Sequence, residues 1–233
     1  MSANTWKVRL ALNYKRIPYR THWLTYLETE PVVKSLGAKP TGKKPAPDNN
    51  EDWYTLPVIS SLGKVVEDSE VIAEYLDAAY PDTPRLFPVG FMRGLQAAFA
   101  QLFAKEVTAR TVPLLLPGVP ANVDAANGAY FAESRKRWYG APLDEWAPLG
   151  SEKRARKWEA AKEGWGTVAQ VYEASGGPWL MGKEPVYADF IVVAWLACAR
   201  TVILEQEFEL MLQWHGGLWS RLWDASSSYR AEP

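Results

Sequence analysis

Cysteine, histidine and long apolar runs are all scarce in this sequence. The single cysteine, Cys198, excludes an internal disulfide framework and fits a reducing compartment. The two histidines, His22 and His215, cannot build a zinc site with one distant cysteine. No apolar stretch is long enough to span a bilayer, and no signal-peptide core follows Met1. Charge of one sign is not in excess either. With 26 basic and 27 acidic residues the net charge is -1, which offers no handle to nucleic acid or an anionic membrane. No Gly-rich phosphate loop and no Ser-His-Asp arrangement is visible. These absences lead us to expect a cytosolic, metal-free protein with neither nucleic acid nor membrane as partner.

What is present is a globular composition. The chain has 233 residues, 48% hydrophobic and 23% charged, enough for one large or two small domains with a real core. There are 12 Trp and 11 Tyr, more than packing alone asks for. Most should be core, with some lining a pocket for flat ligands.

Residues 5–16 carry apolar side chains at a spacing of four, so a helix is expected there, capped by Asn4 or Thr5 and ended by Pro18. YRTHWL (19–24) has the composition of a strand. Residues 37–52, rich in Gly, Pro, Lys, Asn and Asp, read as a long exposed loop. YTLPVIS (54–60) and KVVED (64–68) read as strands about a Ser-Leu-Gly turn, and SEVIAEYLDAAY (69–80) as a helix. The α/β unit at 1–82 then gives way, through a Pro-rich linker at 83–90, to an all-helical part at 91–233. There, helices are expected over 91–110, 127–139, 151–174, 187–204 and 205–224, with a proline-broken link at 113–120. The helix at 187–204 is so apolar that it must be buried nearly all round.

Five motifs in this order narrow the class: YTLPV (54–58), EDS (67–69) opening a helix, YL (75–76), LFP (86–88) and YAD (187–189). Together they resemble the soluble glutathione transferases over nearly the whole chain. The stretches SANTWKVRLALNYKRIPYR, DSEVIAEYLD and YPDTPRLFP are most similar to the fungal etherase-related, or fungal A, class. The resemblance implies a thioredoxin-like α/β amino-terminal domain followed by the all-α glutathione-transferase carboxy-terminal domain. It implies glutathione as co-substrate, with a hydrophobic electrophile as second substrate and a homodimer as assembly. The chemistry would be conjugation to aromatic electrophiles or thiolate cleavage of aryl ethers. A non-catalytic ligandin on the same scaffold is the alternative, and a tailoring transferase of fungal secondary metabolism would share the mechanism.

The same resemblance assigns roles. Pro57 would follow a cis bond, although X-Pro bonds are mostly trans and the residues alone suggest an edge-strand proline. Val58 would pair through its backbone with the cysteinyl unit of glutathione. By spacing alone, Asp68 and Ser69 form an N-cap pair. In the family, Ser69 would take the γ-glutamyl carboxylate and Asp68 the ammonium. Ser2 aligns with the activating serine, which hydrogen-bonds the thiolate at a helix N-terminus, and Asn4 would add a donor. Lys43 or Lys44 would reach the glycine carboxylate. Tyr130, Trp138 and Tyr139 would wall the second-substrate pocket, and Cys198 would be core.

Two departures stand out. The family has a central strand ahead of the activating serine, and here only Met1 precedes Ser2. A truncated reading, a sheet rebuilt from part of 37–60, or an impaired domain would each account for it, and truncation is the expectation. Val186 also stands where a Ser or Thr normally caps the YAD helix, a loss of about 1 kcal/mol.

Overall fold

The computed structural model describes residues 2–88 and 92–231. The last two residues of the expected linker, 89 and 90, lie outside the described residues, as do Met1 and residue 91. The first half runs α1 (Ala3–Tyr14), α2 (Tyr26–Ser35), β1 (Gly42–Lys43), β2 (Asp52–Trp53), β3 (Val58–Ser61), β4 (Lys64–Glu67) and α3 (Ser69–Ala79). The second half is helical: α4 (Met92–Phe103), a π turn (Ala104–Thr108), α5 (Ala109–Leu115), α6 (Ala125–Tyr139), α7 (Glu152–Glu173), α8 (Tyr187–Val202), α9 (Glu205–Leu212) and α10 (Trp214–Ala225). Among the described residues no helix is long and apolar enough to cross a membrane.

The sheet differs from expectation. The segment 19–24 forms no strand, because no described segment offers it a ladder partner. The strands form two separate antiparallel hairpins, β1–β2 and β3–β4. The loop at 37–52 therefore folds back on itself instead of filling a central place in the β3–β4 sheet. Pro57 lies just ahead of β3 and not within it, and Leu56–Pro57 is cis, as the resemblance implies. The hairpin turn uses Leu62 (φ 50°) and Gly63 (φ 75°), both left-handed, as a tight two-residue connection requires.

α2 is an addition to the expected elements. Its start is a full capping box. The Thr25 amide donates to Glu28 Oε2 at 2.9 Å, and the Glu28 amide donates to Thr25 Oγ1 at 3.3 Å. The expected helix at 205–224 is two helices instead. His215, Gly216 and Gly217 all have positive φ (53°, 67° and 72°), which an α-helix cannot carry. The expected link at 113–120 starts later, since α5 runs through Pro113 to Leu115.

The core joins both halves. α8 is buried nearly all round, as its composition requires, with Arg200 exposed near its end, and it packs directly on α1. Leu10, Ile72 and Leu76 of the first half share one cluster with Trp165, Phe190 and Trp219 of the second. Of the tryptophans and tyrosines, Tyr14, Trp165, Tyr172, Trp179, Tyr187 and Trp219 are buried, and most of the others pack, partly buried, against this core. Polar groups tie the same seam. Lys15, almost fully buried, donates from Nζ to Asp77 Oδ1 at 2.7 Å and to the Pro84 carbonyl at 3.0 Å. Asp77 also accepts from the Leu86 amide at 3.0 Å and the Phe87 amide at 2.9 Å. The Leu86 carbonyl in turn accepts from Gln96 Nε2 at 3.0 Å and from the Tyr187 amide at 3.1 Å.

The start of α8 compensates for Val186. The Asp189 amide, which a Ser or Thr cap would have bound, donates to the Val186 carbonyl at 3.0 Å. The Asp189 carboxylate accepts from the Val186 and Leu180 amides at 2.9 Å and from the Tyr172 hydroxyl at 2.8 Å. One half of a capping box survives, with a tyrosine and a loop amide added.

Candidate active site

A cavity of about 800 Å³ opens between the two halves. The first turns of α1 form its floor, with Ser2, Asn4, Trp6 and Arg9. Leu56 and Asp68 lie on the same side, and Tyr130, Arg135 and Trp138 of α6 stand opposite. The β1–β2 hairpin covers it with Gly42, Lys44 and Trp53.

Ser2 is the N-cap of α1, in extended conformation (φ -120°, ψ 131°). Its carbonyl accepts from the Trp6 amide at 3.2 Å, but its hydroxyl makes no capping bond. That hydroxyl is left to the cavity, where the positive end of the helix dipole favours an anion. Asn4 lies two residues on, exposed in the same cavity.

Backbone register places Val58. Ser61 and Lys64 flank the two-residue turn and so form a hydrogen-bonded pair. Antiparallel pairs alternate, so Val58 and Glu67 form a non-bonded pair. The N–H and C=O of Val58 thus point away from β4. Neither Pro57, Val58 nor Ser69 is itself in the cavity wall, but their neighbours Leu56 and Asp68 are.

Asp68 has φ 69° and ψ 133°, a conformation costing roughly 1–3 kcal/mol for a residue with a Cβ. It is held there by its own cap, with Oδ1 accepting from the amides of Glu70 at 2.8 Å and Val71 at 3.2 Å. Lys7 of α1 lies near it. Burial lowers the Lys7 pKa, and Asp68 and Glu70 pull it back up. Ser69 is buried, and Tyr187 of the second half lies beside it. Burial raises the Tyr187 pKa well above that of a free phenol.

On α6, Tyr130 and Trp138 reach the cavity but Tyr139 does not. One residue beyond Trp138 is 100° round the helix, so Tyr139 faces outward and packs edge-on against Trp146 at 5.4 Å. The Trp138 ring meets Trp53 edge-on at 5.4 Å, and its Nε1 donates to Asp48 Oδ2 at 2.9 Å. Arg137 pairs with the other Asp48 oxygen. The loop expected to be merely exposed is fastened to α6. Its lysines are engaged as well: Lys43 with Asp52 at 2.8 Å, and Lys44 with Glu51 at 2.7 Å and Glu30 at 3.5 Å.

Cys198 is largely buried on α8, yet it lies close to the site in space, near Ala3 at the start of α1. Burial pushes its thiol pKa up, the wrong direction for a nucleophile. Arg135 and Asp48 were not singled out from the sequence, and Tyr187 only as part of the YAD motif. For Arg135 a signal existed, in the spacing of Phe131, Arg135 and Trp138 along one helix face.

The fold and this cavity define an α/β-plus-helical protein with its site at the junction. Residues 1–79 match the glutathione S-transferase N-terminal domain family, and residues 94–229 match its C-terminal domain family. The chain belongs to the glutathione S-transferases. It is 32% identical to the glutathione S-transferase-like protein ustS of Aspergillus flavus, covering 97% of this chain and 83% of that one. A glutathione S-transferase of Ceriporiopsis subvermispora, crystallised with glutathione, superposes with a TM-score of 0.93 at 36% identity, covering 100% of this chain and 92% of that one. Glutathione transferase GSTFuA2 of Phanerochaete chrysosporium superposes with a TM-score of 0.89 at 37% identity, over 100% and 92% of the respective chains. The resemblance to the fungal A class is thereby established.

Proposed function

We propose that this chain is a serine-type glutathione transferase acting on hydrophobic aromatic electrophiles. In this reading residues 1–82 hold glutathione, 83–90 link, and 91–233 wall the second substrate. The γ-glutamyl end binds at Asp68 and Ser69, and the cysteinyl backbone pairs with the outward N–H and C=O of Val58 beside Pro57. The thiol then lies at the start of α1. Its proton leaves to solvent, and the Ser2 hydroxyl donates to the thiolate, with Asn4 as second donor. The sulfur lone pair forms the C–S bond while the leaving group departs with the electrons of the bond that breaks. The observation that carries this is Ser2 itself, a helix N-cap that lines the cavity and whose hydroxyl is not used for capping. The Ceriporiopsis relative bound to glutathione supports the co-substrate.

Ser2→Ala is the test. Loss of one preorganised donor should lower kcat/KM about 10²-fold. The bound thiol pKa should rise toward ~8.5, with glutathione affinity little changed. An unaltered pH profile would remove Ser2 from the chemistry. Binding without turnover is the second reading, favoured by Ser69 being buried beside Tyr187 and outside the cavity wall. Saturable glutathione binding with no turnover of any aromatic electrophile would establish it. A homodimer belongs to the first reading, supported by family membership and by exposed Leu62, Val71 and Leu95. Sedimentation equilibrium tests it.

A further inference from the structure

The cavity holds a cation that the chemistry above does not use. Arg135 lies in the α6 wall, its guanidinium 3.9 Å from the Phe131 ring centroid and 4.8 Å from that of Trp138. Tyr26 flanks it at 5.8 Å. A guanidinium has five N–H donors, and one of these goes to Ser134 Oγ at 2.8 Å. No carboxylate among the described residues pairs with it; the ionisable groups close enough to act on it are the hydroxyls of Tyr26, Tyr139 and Tyr130. Burial disfavours its charge.

The carboxylates of the cavity are occupied elsewhere. Glu30 pairs with Lys34 at 2.7 Å and Lys44 at 3.5 Å. Asp68 caps α3, and Asp124 caps α6 through the Asn127 amide at 3.1 Å and Nδ2 at 2.8 Å. A half-buried guanidinium with aromatic rings on its faces leaves its N–H edge for a ligand. Arginine presents that edge as a fork matched to a planar carboxylate.

We propose that Arg135 is an anion subsite, and that the second substrate is a flat aromatic carboxylate rather than a neutral hydrophobe. This rests on the transferase reading for turnover but not for binding. The aryl ring packs among Trp53, Tyr130 and Trp138 while the carboxylate takes the Arg135 fork. A suitable electrophile is 4-chloro-3-nitrobenzoate. Glutathione sulfur forms a bond to the carbon bearing chlorine, chloride leaves with the electrons of the C–Cl bond, and the thiol proton goes to solvent.

The test separates binding from catalysis. Calorimetry on the full chain compares naphthalene-2-carboxylate with its neutral carboxamide, both with S-methylglutathione present. The carboxylate should bind about tenfold more tightly to the native protein. That preference should vanish in Arg135→Met, persist in part in Arg135→Lys, and weaken with added salt. The affinity for glutathione alone should not change in either variant. Equal binding of acid and amide to the native protein, binding of neither, or a preference that survives Arg135→Met overturns the subsite. So does loss of glutathione affinity with the aryl preference intact, which would assign Arg135 to the peptide. Circular dichroism and the lysine variant guard against misfolding. Turnover of 4-chloro-3-nitrobenzoate and its amide is then measured. Failure of both with binding intact refutes the transferase reading and leaves the subsite standing.

Discussion

Lys15 and Asp77 form a buried pair whose substitution has a calculable and unusual signature. Each is nearly closed to solvent, with relative exposures of 1% and 6%. Asp77→Leu removes the partner of the Lys15 ammonium, leaving it the Pro84 carbonyl, and strips the acceptor from the Leu86 and Phe87 amides. Breaking a buried pair from one side costs about 3–5 kcal/mol. In a chain of this size that corresponds to roughly 6–20 °C in Tm. Lys15→Met should cost less, because Asp77 keeps both amide donors. The double variant should be more stable than Asp77→Leu alone, because the stranded ammonium is gone and the two amides remain the main loss. Calorimetric Tm and urea unfolding followed by tryptophan fluorescence would measure all four proteins. A double variant less stable than Asp77→Leu, with the two losses simply adding, would refute the reasoning.

Asp189 should make stability pH-dependent. Burial outweighs its three hydrogen bonds and holds its pKa at about 6. The native state therefore binds a proton more tightly than the unfolded chain, whose Asp titrates near ~3.9. This contribution to stability is full below about pH 4 and is lost as pH rises through about 6, by an amount on the order of 3 kcal/mol. Urea midpoints from pH 4 to 7 should show that slope flattened in Asp189→Asn. Gly164→Ala should lower Tm by several degrees, since a Cβ there would lie 2.0 Å from the Glu106 carbonyl oxygen in the π turn. Overpacking of this kind costs roughly 1–3 kcal/mol; an unchanged Tm would mean that α7 and the turn are not tightly apposed.

Much of the fold was legible because its signals are local. The spacing of apolar residues located α1, α3 and the buried α8, and Pro and Gly marked most of their ends. α2 was not read, although Thr25 and Glu28 carry its capping box, because Pro31 sits within it and its apolar residues are few. The strand expected at 19–24 failed for the opposite reason: composition can suggest an extended segment, but only a neighbour makes a ladder. Within the site, Ser2, Asn4, Asp68, Tyr130 and Trp138 do converge on one cavity, and Tyr139 misses it by one helical position. The contacts of Asp48 with α6, of Tyr187 with Ser69 and of Lys15 with Asp77 join residues about 60 to 120 positions apart. No periodicity records such pairs.

The fastening of the long loop to α6 bears on traffic through the cavity. One carboxylate, Asp48, holds the covering hairpin through Arg137 and Trp138, at a surface where water and salt compete. The hydrogen bonds hold the Asp48 pKa below its ordinary value, so near neutral pH the tie depends on a charge that is always present. A tie of this kind alters how fast the covering segment parts rather than how well the ligand fits beneath it. In stopped-flow measurements, added salt or Asp48→Asn should raise association and dissociation rates of a neutral aromatic ligand together and leave Kd nearly unmoved. Rates unchanged by either perturbation would mean that ligands pass by another route. The loop then governs the residence time of a bound molecule, and the walls beneath govern its identity.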